Sequence, residues 1–392
     1  MISKKINQFM QDSSWIRKMF EEGVELKKKY GTENVFDFSL GNPNLDPPDI
    51  FFKNLNKLSK SNETNIHGYM PNSGFESTRR AVSNKISNES TSKLGPEDII
   101  MTVGAAGAIN VILHSILNPE EEVIIFKPFF PEYQFYVSNH QGIARFCEYN
   151  DNFEPSLKNF ESIINKKTKA IILNSPNNPS GITYSAKTIK KIVDITKEYE
   201  KKFGIEIYII SDEPYRYLEY ENNEQPFITS IFERGIIATS FSKDLSLAGE
   251  RIGFIAINPQ NKNKDILISA LNFSNRTLGF VNAPAIAQRL VEKSINSLAN
   301  LESYKFKRDF MYENLKSFGY EIVKPTGGFY LFPKSPINDV EFCNLLKYEK
   351  ILVVPGSGFG APNHFRISYS VKNDVIKRSL KGFRKVIQSF KN

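Results

Sequence analysis

The 392-residue chain is poor in cysteine, tryptophan and histidine, with 2, 1 and 4 residues of each type. Cys147 and Cys343 lie far apart and belong to no Cys-x-x-Cys or Cys/His spacing. The sequence therefore predicts neither a disulfide framework nor a metal site, and both thiols are expected to be buried and inert. The lysine-rich first thirty residues contain no apolar run typical of a signal peptide or membrane span. We expect a cytoplasmic protein with no membrane partner.

Positive charge is in excess but is dispersed along the chain. The net charge is +8, and the 51 Lys and Arg residues are interleaved with 43 Asp and Glu residues. Nucleic-acid binding requires basic residues that cluster, so the sequence predicts no nucleic-acid partner. A positive potential can instead attract small anionic substrates. The length and the 40% hydrophobic content allow two domains.

Short β-branched runs alternate with helical patterns through the middle of the chain. The runs cover residues 99–103, 122–126, 169–173, 205–210, 236–240 and 252–257. This alternation predicts a three-layer α/β/α domain with a mostly parallel sheet, whose ligand lies at the carboxyl ends of the strands. From about Ala285 a long helical stretch leads to a smaller α+β region with strands near residues 328–332 and 365–369.

The most informative segment is Ser-Phe-Ser-Lys-Asp-Leu-Ser-Leu-Ala-Gly-Glu-Arg at residues 240–251. It places Lys243 beside Ser240 and Ser242, with Arg251 downstream. A lysine amine can form a Schiff base with an aldehyde cofactor, while hydroxyls and a guanidinium suit a phosphate dianion. The segment predicts an anchor for pyridoxal 5'-phosphate. A lysine on a solvated surface is the alternative if the segment is taken alone.

Two segments that follow predicted strands indicate the same cofactor. Gly104-Ala105-Ala106-Gly107 opens a predicted helix, whose backbone amides and dipole can face a phosphate. Tight strand-to-helix packing is an equal alternative for that loop. Asp212, in Ser-Asp-Glu-Pro-Tyr, follows an apolar strand and is expected at the carboxyl edge of the sheet. A carboxylate there can keep a pyridine nitrogen protonated, although Asp before a turn is also a common helix cap.

Further segments add aromatic, amide and guanidinium groups. The segment 128–133 supplies aromatic faces, 174–181 is rich in Pro and Asn, and 67–74 carries one of 17 tyrosines. Core packing, an ordinary turn and a surface turn are their respective alternatives. Arg366 lies on a predicted strand among apolar residues, where an unpaired guanidinium is costly and requires an anionic partner.

Together these motifs resemble the fold-type I pyridoxal-phosphate aminotransferases, specifically the class I/II group related to aspartate aminotransferase. The resemblance runs from about residue 39 to residue 370. It implies a large cofactor-binding domain over residues 45–285 and a discontinuous small domain formed by residues 1–44 and 286–392. It also implies a homodimer with active sites at the subunit interface.

The resemblance implies three catalytic residues. Lys243 would hold the cofactor and then move a proton between the substrate Cα and the cofactor. Asp212 would pair with the pyridine nitrogen, and Tyr215 would donate to the phenolic oxygen. The further cofactor-binding residues implied are Ala105, Ala106, Phe130, Asn178, Ser240, Ser242 and Arg251, together with Tyr69, which would reach the phosphate of the neighbouring subunit.

The substrate α-carboxylate would bind Arg366, with Gly41 and Asn178 beside it. Two positions depart mildly from the family pattern: Phe130 stands where Trp is frequent, and Ser180 stands where Thr is commoner. Arg276 lies in the region from which dicarboxylate-specific members supply an arginine to the partner subunit, but its register is not settled and an interface or surface role is preferred. Aspartate, aromatic amino acids, alanine and other neutral donors all stay open.

The activity expected from the resemblance is ping-pong transfer of an amino group between an amino acid and a 2-keto acid. A C–S lyase, or an aminocyclopropane-carboxylate synthase-like enzyme, would use the same fold for β/γ-elimination or ring closure. A non-catalytic sensor of the same fold is a more remote alternative. Such sensors carry a DNA-binding domain ahead of the fold, whereas the forty or so residues before Gly41 show no helix-turn-helix pattern.

Overall fold

The computed structural model describes residues 2–12, 14–298 and 300–390. The strands are β1 Phe36–Asp37, β2 Ile99–Thr102, β3 Glu122–Phe126, β4 Ile143–Cys147, β5 Thr168–Asn174, β6 Tyr208–Asp212, β7 Gly235–Ser240, β8 Gly253–Ile257, β9 Tyr330–Leu331, β10 Ile351–Leu352, β11 Val354–Pro355 and β12 Phe365–Ser368. The α-helices are α1 Lys4–Asp12, α2 Ser14–Tyr30, α3 Asp49–Ser59, α4 Glu76–Glu89, α5 Gly104–Ile116, α6 Glu132–Asn139, α7 Leu157–Ile163, α8 Ala186–Phe203, α9 Ile228–Ile231, α10 Lys264–Thr277, α11 Ala285–Ser294, α12 Leu301–Phe318, α13 Asp339–Tyr348 and α14 Asn373–Gln388.

Seven strands form the central sheet, in the order β2-β8-β7-β6-β5-β3-β4. The neighbours from β7 to β4 pair in parallel, and β8 alone runs antiparallel to its neighbours β2 and β7. The strands β2, β3, β5, β6 and β7 therefore all end at the same edge of the sheet. This arrangement confirms the predicted α/β fold with a mostly parallel sheet.

Both faces of this sheet are covered by helices. Val123 and Ile125 of β3 belong to one buried apolar cluster, whereas Ile124 belongs to another. Because successive strand residues point to opposite faces, the sheet has a hydrophobic core on each side. Nearly continuous apolar strands are the expected sequence of a sheet buried in this way.

A separate apolar cluster fills the smaller region, where α12, α13 and α14 pack around β9 and β12. Its members include Met311, Phe342 and Phe383, and Phe38 joins them from the N-terminal part of the chain. Tyr215 and Leu218, which follow β6, belong to this cluster too. The small core therefore contacts the loop that carries a predicted catalytic residue.

Two local expectations were wrong, and one strand was missed. The helical stretch after Ala285 is two helices, because the Asn300 side chain accepts a hydrogen bond from the backbone amide of Ser303 and so begins α12. The strand predicted at 205–210 is β6 at residues 208–212, so Asp212 is the last strand residue. The edge strand β4 was not predicted, since its residues alternate in exposure and form no β-branched run.

Both cysteines are buried free thiols, as expected. Within the described ranges, no group of three or more His, Cys, Asp or Glu residues could hold a metal ion. No described helix is both long and apolar enough to cross a membrane.

Gly253 allows β8 to pass close to the loop that begins α5. A Cβ at this position would lie 2.8 Å from the carbonyl carbon of Gly104 and would also overlap the Thr239 carbonyl oxygen. We expect Gly253→Ala to lower the free energy of unfolding by about 1–3 kcal/mol, because backbone atoms cannot move aside as a flexible side chain can. Urea titration measures the change. Gly249→Ala is the matched control, since its Cβ meets no atom within 4 Å; equal stability of the two variants would contradict the expectation.

Candidate active site

Lys243 lies in the loop after β7 and is directed into a cleft at the carboxyl edge of the sheet. Its Nζ atom donates a hydrogen bond to the Gly41 carbonyl oxygen at 2.7 Å. Burial, together with the positive charges of Arg366 and Arg251, lowers the pKa of the amine to about 8. A lysine with a depressed pKa is more often neutral near pH 7, which is the form that acts as a nucleophile or base.

Asp212 ends β6 and its carboxylate is almost completely buried. The Tyr133 hydroxyl donates a hydrogen bond to Oδ2, whereas Oδ1 is buried without a partner. Burial raises the pKa of this carboxyl to about 7; the Tyr133 hydrogen bond opposes the shift and the charge of Glu213 adds to it. A ligand that presents a protonated ring nitrogen would satisfy Oδ1 and favour the ionised carboxylate.

An anion-binding corner lies where α5 begins. Ala105 and Ala106 at the start of this helix, Ser240, Ser242 and Arg251 all line the same cleft. A Cβ at Gly104, the residue before Ala105, would lie 2.9 Å from Nη2 of Arg251 and would strain a backbone whose φ is +70°. Glycine therefore lets the guanidinium approach the helix N-terminus, and the two positive ends together suit a phosphate.

Arg366 on β12 provides a second cationic end of the cleft. Its Nη1 donates to Asn178 Oδ1 at 2.9 Å and its Nη2 donates to the Ser39 carbonyl oxygen at 2.7 Å. The rings of Tyr330 and Phe359 each lie 4.7 Å from the guanidinium carbon. The guanidinium is therefore fixed by two aromatic rings and two hydrogen bonds, and its Nε is buried without a partner.

Tyr215 follows β6, and its hydroxyl lies 2.8 Å from the hydroxyl of Tyr330. Burial raises the pKa of Tyr215 well above its ordinary value, and the neighbouring Tyr330 adds to the shift. The phenol therefore stays protonated at neutral pH and can donate a hydrogen bond into the cleft.

The cleft measures about 330 Å³, a size that suits a small cofactor. The predicted site residues that line it are Gly41, Ala105, Ala106, Phe130, Asn178, Asp212, Tyr215, Ser240, Ser242, Lys243, Arg251 and Arg366. Tyr69 does not line the cleft; its side chain is 90% exposed. Arg276, at the end of α10, is also exposed.

Several residues of the site had no predicted role. Tyr133 and Asn174 lie inside the segments that we singled out, yet their contacts with Asp212 could not be inferred from turn composition. The Asn174 side chain donates to the Asp212 carbonyl oxygen at 3.0 Å and accepts from the Asn178 amide at 2.8 Å. Tyr330 follows a Gly-Gly pair in the small region, and no local pattern places it against Arg366.

These residues fit pyridoxal phosphate. A buried amine, a carboxylate with one unpartnered oxygen and a cationic corner at a helix N-terminus match the aldehyde, the ring nitrogen and the phosphate respectively. The α/β fold and this cleft therefore define a pyridoxal-phosphate enzyme.

The comparisons with known proteins agree with this class. Residues 33–383 match the family described as aminotransferase class I and II. A probable aspartate aminotransferase from Methanocaldococcus jannaschii is 30% identical over 89% of this chain and 92% of its own length. An amino transferase from Eubacterium rectale has a TM-score of 0.95 and 34% identity, with both chains fully covered. The aspartate aminotransferase of Thermotoga maritima has a TM-score of 0.88 and 26% identity, covering 99% of this chain and 100% of its own.

The chain belongs to the class I and II aminotransferase family, and it is a pyridoxal-phosphate-dependent aminotransferase. The family, the fold, the activity and the cofactor expected from the sequence are confirmed. The elimination, ring-closure and sensor alternatives are not favoured.

The raised pKa of Asp212 makes stability depend on pH in the cofactor-free protein. Between the ordinary value of 3.8 and the folded value of about 7, the unfolded chain binds fewer protons than the folded chain. Ionisation of Asp212 therefore lowers stability as pH rises through this window. We compare the free energy of unfolding of Asp212→Asn with that of the original protein. We expect the difference in favour of Asp212→Asn to grow by an amount on the order of 4 kcal/mol between pH 4 and pH 8.

Urea unfolding at both pH values measures this difference. Asp151→Asn, a change at an exposed carboxylate, should leave the pH dependence unchanged. An identical pH dependence for Asp212→Asn and the original protein would show that the buried carboxyl does not titrate in this range.

Proposed function

We propose that this aminotransferase exchanges an amino group between an amino acid and a 2-keto acid in the cleft at the edge of the sheet. The observation that carries the proposal is the meeting of one buried amine, Lys243, with one buried carboxylate, Asp212, and two separate cationic ends, Arg251 and Arg366. An amino acid and the cofactor each contribute one anionic group, so two separate cationic ends match the two molecules.

Pyridoxal phosphate, when bound, supplies an electron-withdrawing ring that stabilises negative charge at the substrate Cα. Asp212 keeps the ring nitrogen protonated, while Tyr133 and Asn174 hold this aspartate in place. Phe130 offers its face to the ring. Tyr215 and Asn178 would donate to the phenolic oxygen of the cofactor, and Ser240, Ser242, Arg251 and the amides of Ala105 and Ala106 would hold its phosphate.

Arg366 would bind the α-carboxylate of the amino acid. The Asn178 side chain and the Ser39 carbonyl oxygen accept hydrogen bonds from its two terminal nitrogens and so orient the guanidinium. Gly41 lies beside the bound substrate. Lys243, when its amine is free, would be the base that accepts the Cα proton of the amino acid on its Nζ atom. Its lowered pKa of about 8 favours this role near neutral pH.

The amino donor is an α-amino acid. Several relatives are named aspartate aminotransferases, and one from Thermococcus litoralis is named aromatic-amino-acid aminotransferase 2. These names make aspartate and the aromatic amino acids the first donors to assay. The assay measures keto acid and ammonia together, because transfer releases no free ammonia whereas elimination does.

We also propose a homodimer in which Tyr69 reaches the active site of the partner. The loop that carries Tyr69 is held firmly although the side chain is exposed: Asn275 donates to the Asn72 carbonyl at 3.1 Å, and Asn282 donates to the Pro71 carbonyl at 2.9 Å. A rigid loop that presents one exposed tyrosine is suited to a fixed contact with a second subunit.

The domain limits of 45–285 for the large domain, and of 1–44 with 286–392 for the small one, belong to the same proposal. The separate apolar cluster of the small region supports the division. The cytoplasmic location stays a prediction from the sequence.

Replacing Lys243 with alanine removes the amine that holds the cofactor and moves the proton. We expect the rate of keto-acid formation to fall by about 10²–10⁴-fold or more, with loss of the visible absorption band of the covalently held cofactor. Lys187→Ala, an exposed change on α8, is the control and should retain both. A Lys243→Ala enzyme that turns over at the original rate would refute the assigned role.

Replacing Tyr69 with phenylalanine tests the contribution of the partner subunit. Loss of one hydrogen bond to a charged group should weaken pyridoxal phosphate binding about tenfold, while sedimentation velocity should still show a dimer. Tyr348→Phe is the matched control, because that side chain is 81% exposed as well. A fully active monomer, or unchanged cofactor affinity in Tyr69→Phe, would contradict the proposal.

A further inference from the structure

The loop 39–45, which we call the substrate loop, follows β1 and contacts Arg366 and Lys243 in the cleft. The Ser39 carbonyl oxygen accepts from Arg366, and the Gly41 carbonyl oxygen accepts from Lys243, each at 2.7 Å. A Cβ at Gly41 would overlap the Tyr330 hydroxyl. The position of this loop therefore decides how Arg366 and Lys243 are oriented toward a substrate.

The far end of the substrate loop is held by residues of the small region. Ser370 donates to the Asn42 carbonyl oxygen at 2.7 Å, and Lys307 of α12 donates from its Nζ to Asn44 Oδ1 at 2.9 Å. The Ser370 hydroxyl also donates to the Tyr304 hydroxyl of α12 at 3.4 Å. These contacts connect α12 to a loop that is more than 250 residues away in sequence.

Lys307 is an unusual residue for this position because its side chain is only 3% exposed. Burial lowers the pKa of its amine to about 8, and no neighbouring charge offsets that effect. A desolvated ammonium with a neutral amide oxygen as its acceptor costs stability, whereas an apolar side chain of similar length would not. Lys307 therefore brings a buried charge to the substrate loop, where the Tyr304 ring lies 5.4 Å from its Nζ atom.

We propose that Lys307 is a positioning residue for amino-acid binding: through Asn44 it fixes the substrate loop, and so sets the place of the Ser39 carbonyl against Arg366. Lys307 touches no reacting atom. Its effect falls on binding of the amino acid through Arg366. The inference rests on the proposed role of Arg366 in carboxylate binding.

The test replaces Lys307 with methionine, which keeps the length of the side chain and removes its charge and its donor. With the amino acid that the holoenzyme uses best, we expect KM to rise about three- to tenfold, kcat to change less than twofold, and the cofactor dissociation constant to stay the same. The urea midpoint should be equal or higher, because a buried charge has been removed. Lys305→Met on the same helix is the control, and none of these quantities should change in it.

A merely structural lysine would give the opposite pattern, a lower urea midpoint with an unchanged KM, and that result would overturn the proposal. An unchanged KM at unchanged stability would overturn it as well. Asn44→Ala keeps the buried lysine and removes its acceptor, so it tests the same hydrogen bond even if Lys307→Met does not fold; the same rise in KM is expected.

The two changes should not be additive, because they remove one interaction. A double variant with the product of the two single effects would show that Lys307 and Asn44 act separately, which contradicts the proposal. Failure of the proposed function can be told apart from failure of the Lys307 proposal, because the unmodified enzyme would then form no keto acid from any amino acid.

Discussion

The site depends on a carboxylate that is held away from water at the end of a central strand. Asp212 ends β6 between two parallel neighbours, so the sheet fixes its backbone and the helices on either face exclude solvent. Tyr133 satisfies one oxygen and leaves the other buried without a partner. Burial of an ionisable group with incomplete hydrogen bonding lowers stability. A cationic ring nitrogen removes that deficit, so cofactor binding and the stability of the folded enzyme are coupled.

The strand order explains why the rest of the site gathers around this residue. The strands β2, β3, β5, β6 and β7 end at one edge, and the end of each strand or the loop after it brings a different group to the cleft: helix amides, an aromatic ring, an asparagine, a carboxylate and a lysine. The second cation, Arg366, comes from the smaller region. The proposed sites for the phosphate and for the substrate carboxylate therefore come from different parts of the fold. The positive charges of Arg366 and Arg251 both lower the pKa of Lys243, and one arginine alone would lower it less.

Much of this could be predicted from the sequence, for identifiable reasons. Asp212 ends one apolar strand and Lys243 lies three residues after another, and polar residues at such strand ends indicate a position at the sheet edge. The edge strand β4 could not be predicted, because a half-exposed strand lacks an apolar run. Tyr330 and Lys307 could not be assigned a place either. Their partners Tyr215 and Asn44 lie more than a hundred residues away, and no local pattern records such pairings.

We propose that the cofactor binds because it completes the hydrogen bonding and charge of Asp212. The most direct measurement is the dissociation constant of pyridoxal phosphate for the original protein and for Asp212→Asn. Asparagine has the same shape and can still accept the hydrogen bond from Tyr133, but it carries no charge to hold a protonated nitrogen. The account predicts binding at least about tenfold weaker in Asp212→Asn, the loss of one charge-assisted hydrogen bond. Equal dissociation constants would contradict this role of Asp212. They would mean that the free energy of cofactor binding comes from the anion-binding corner at the start of α5.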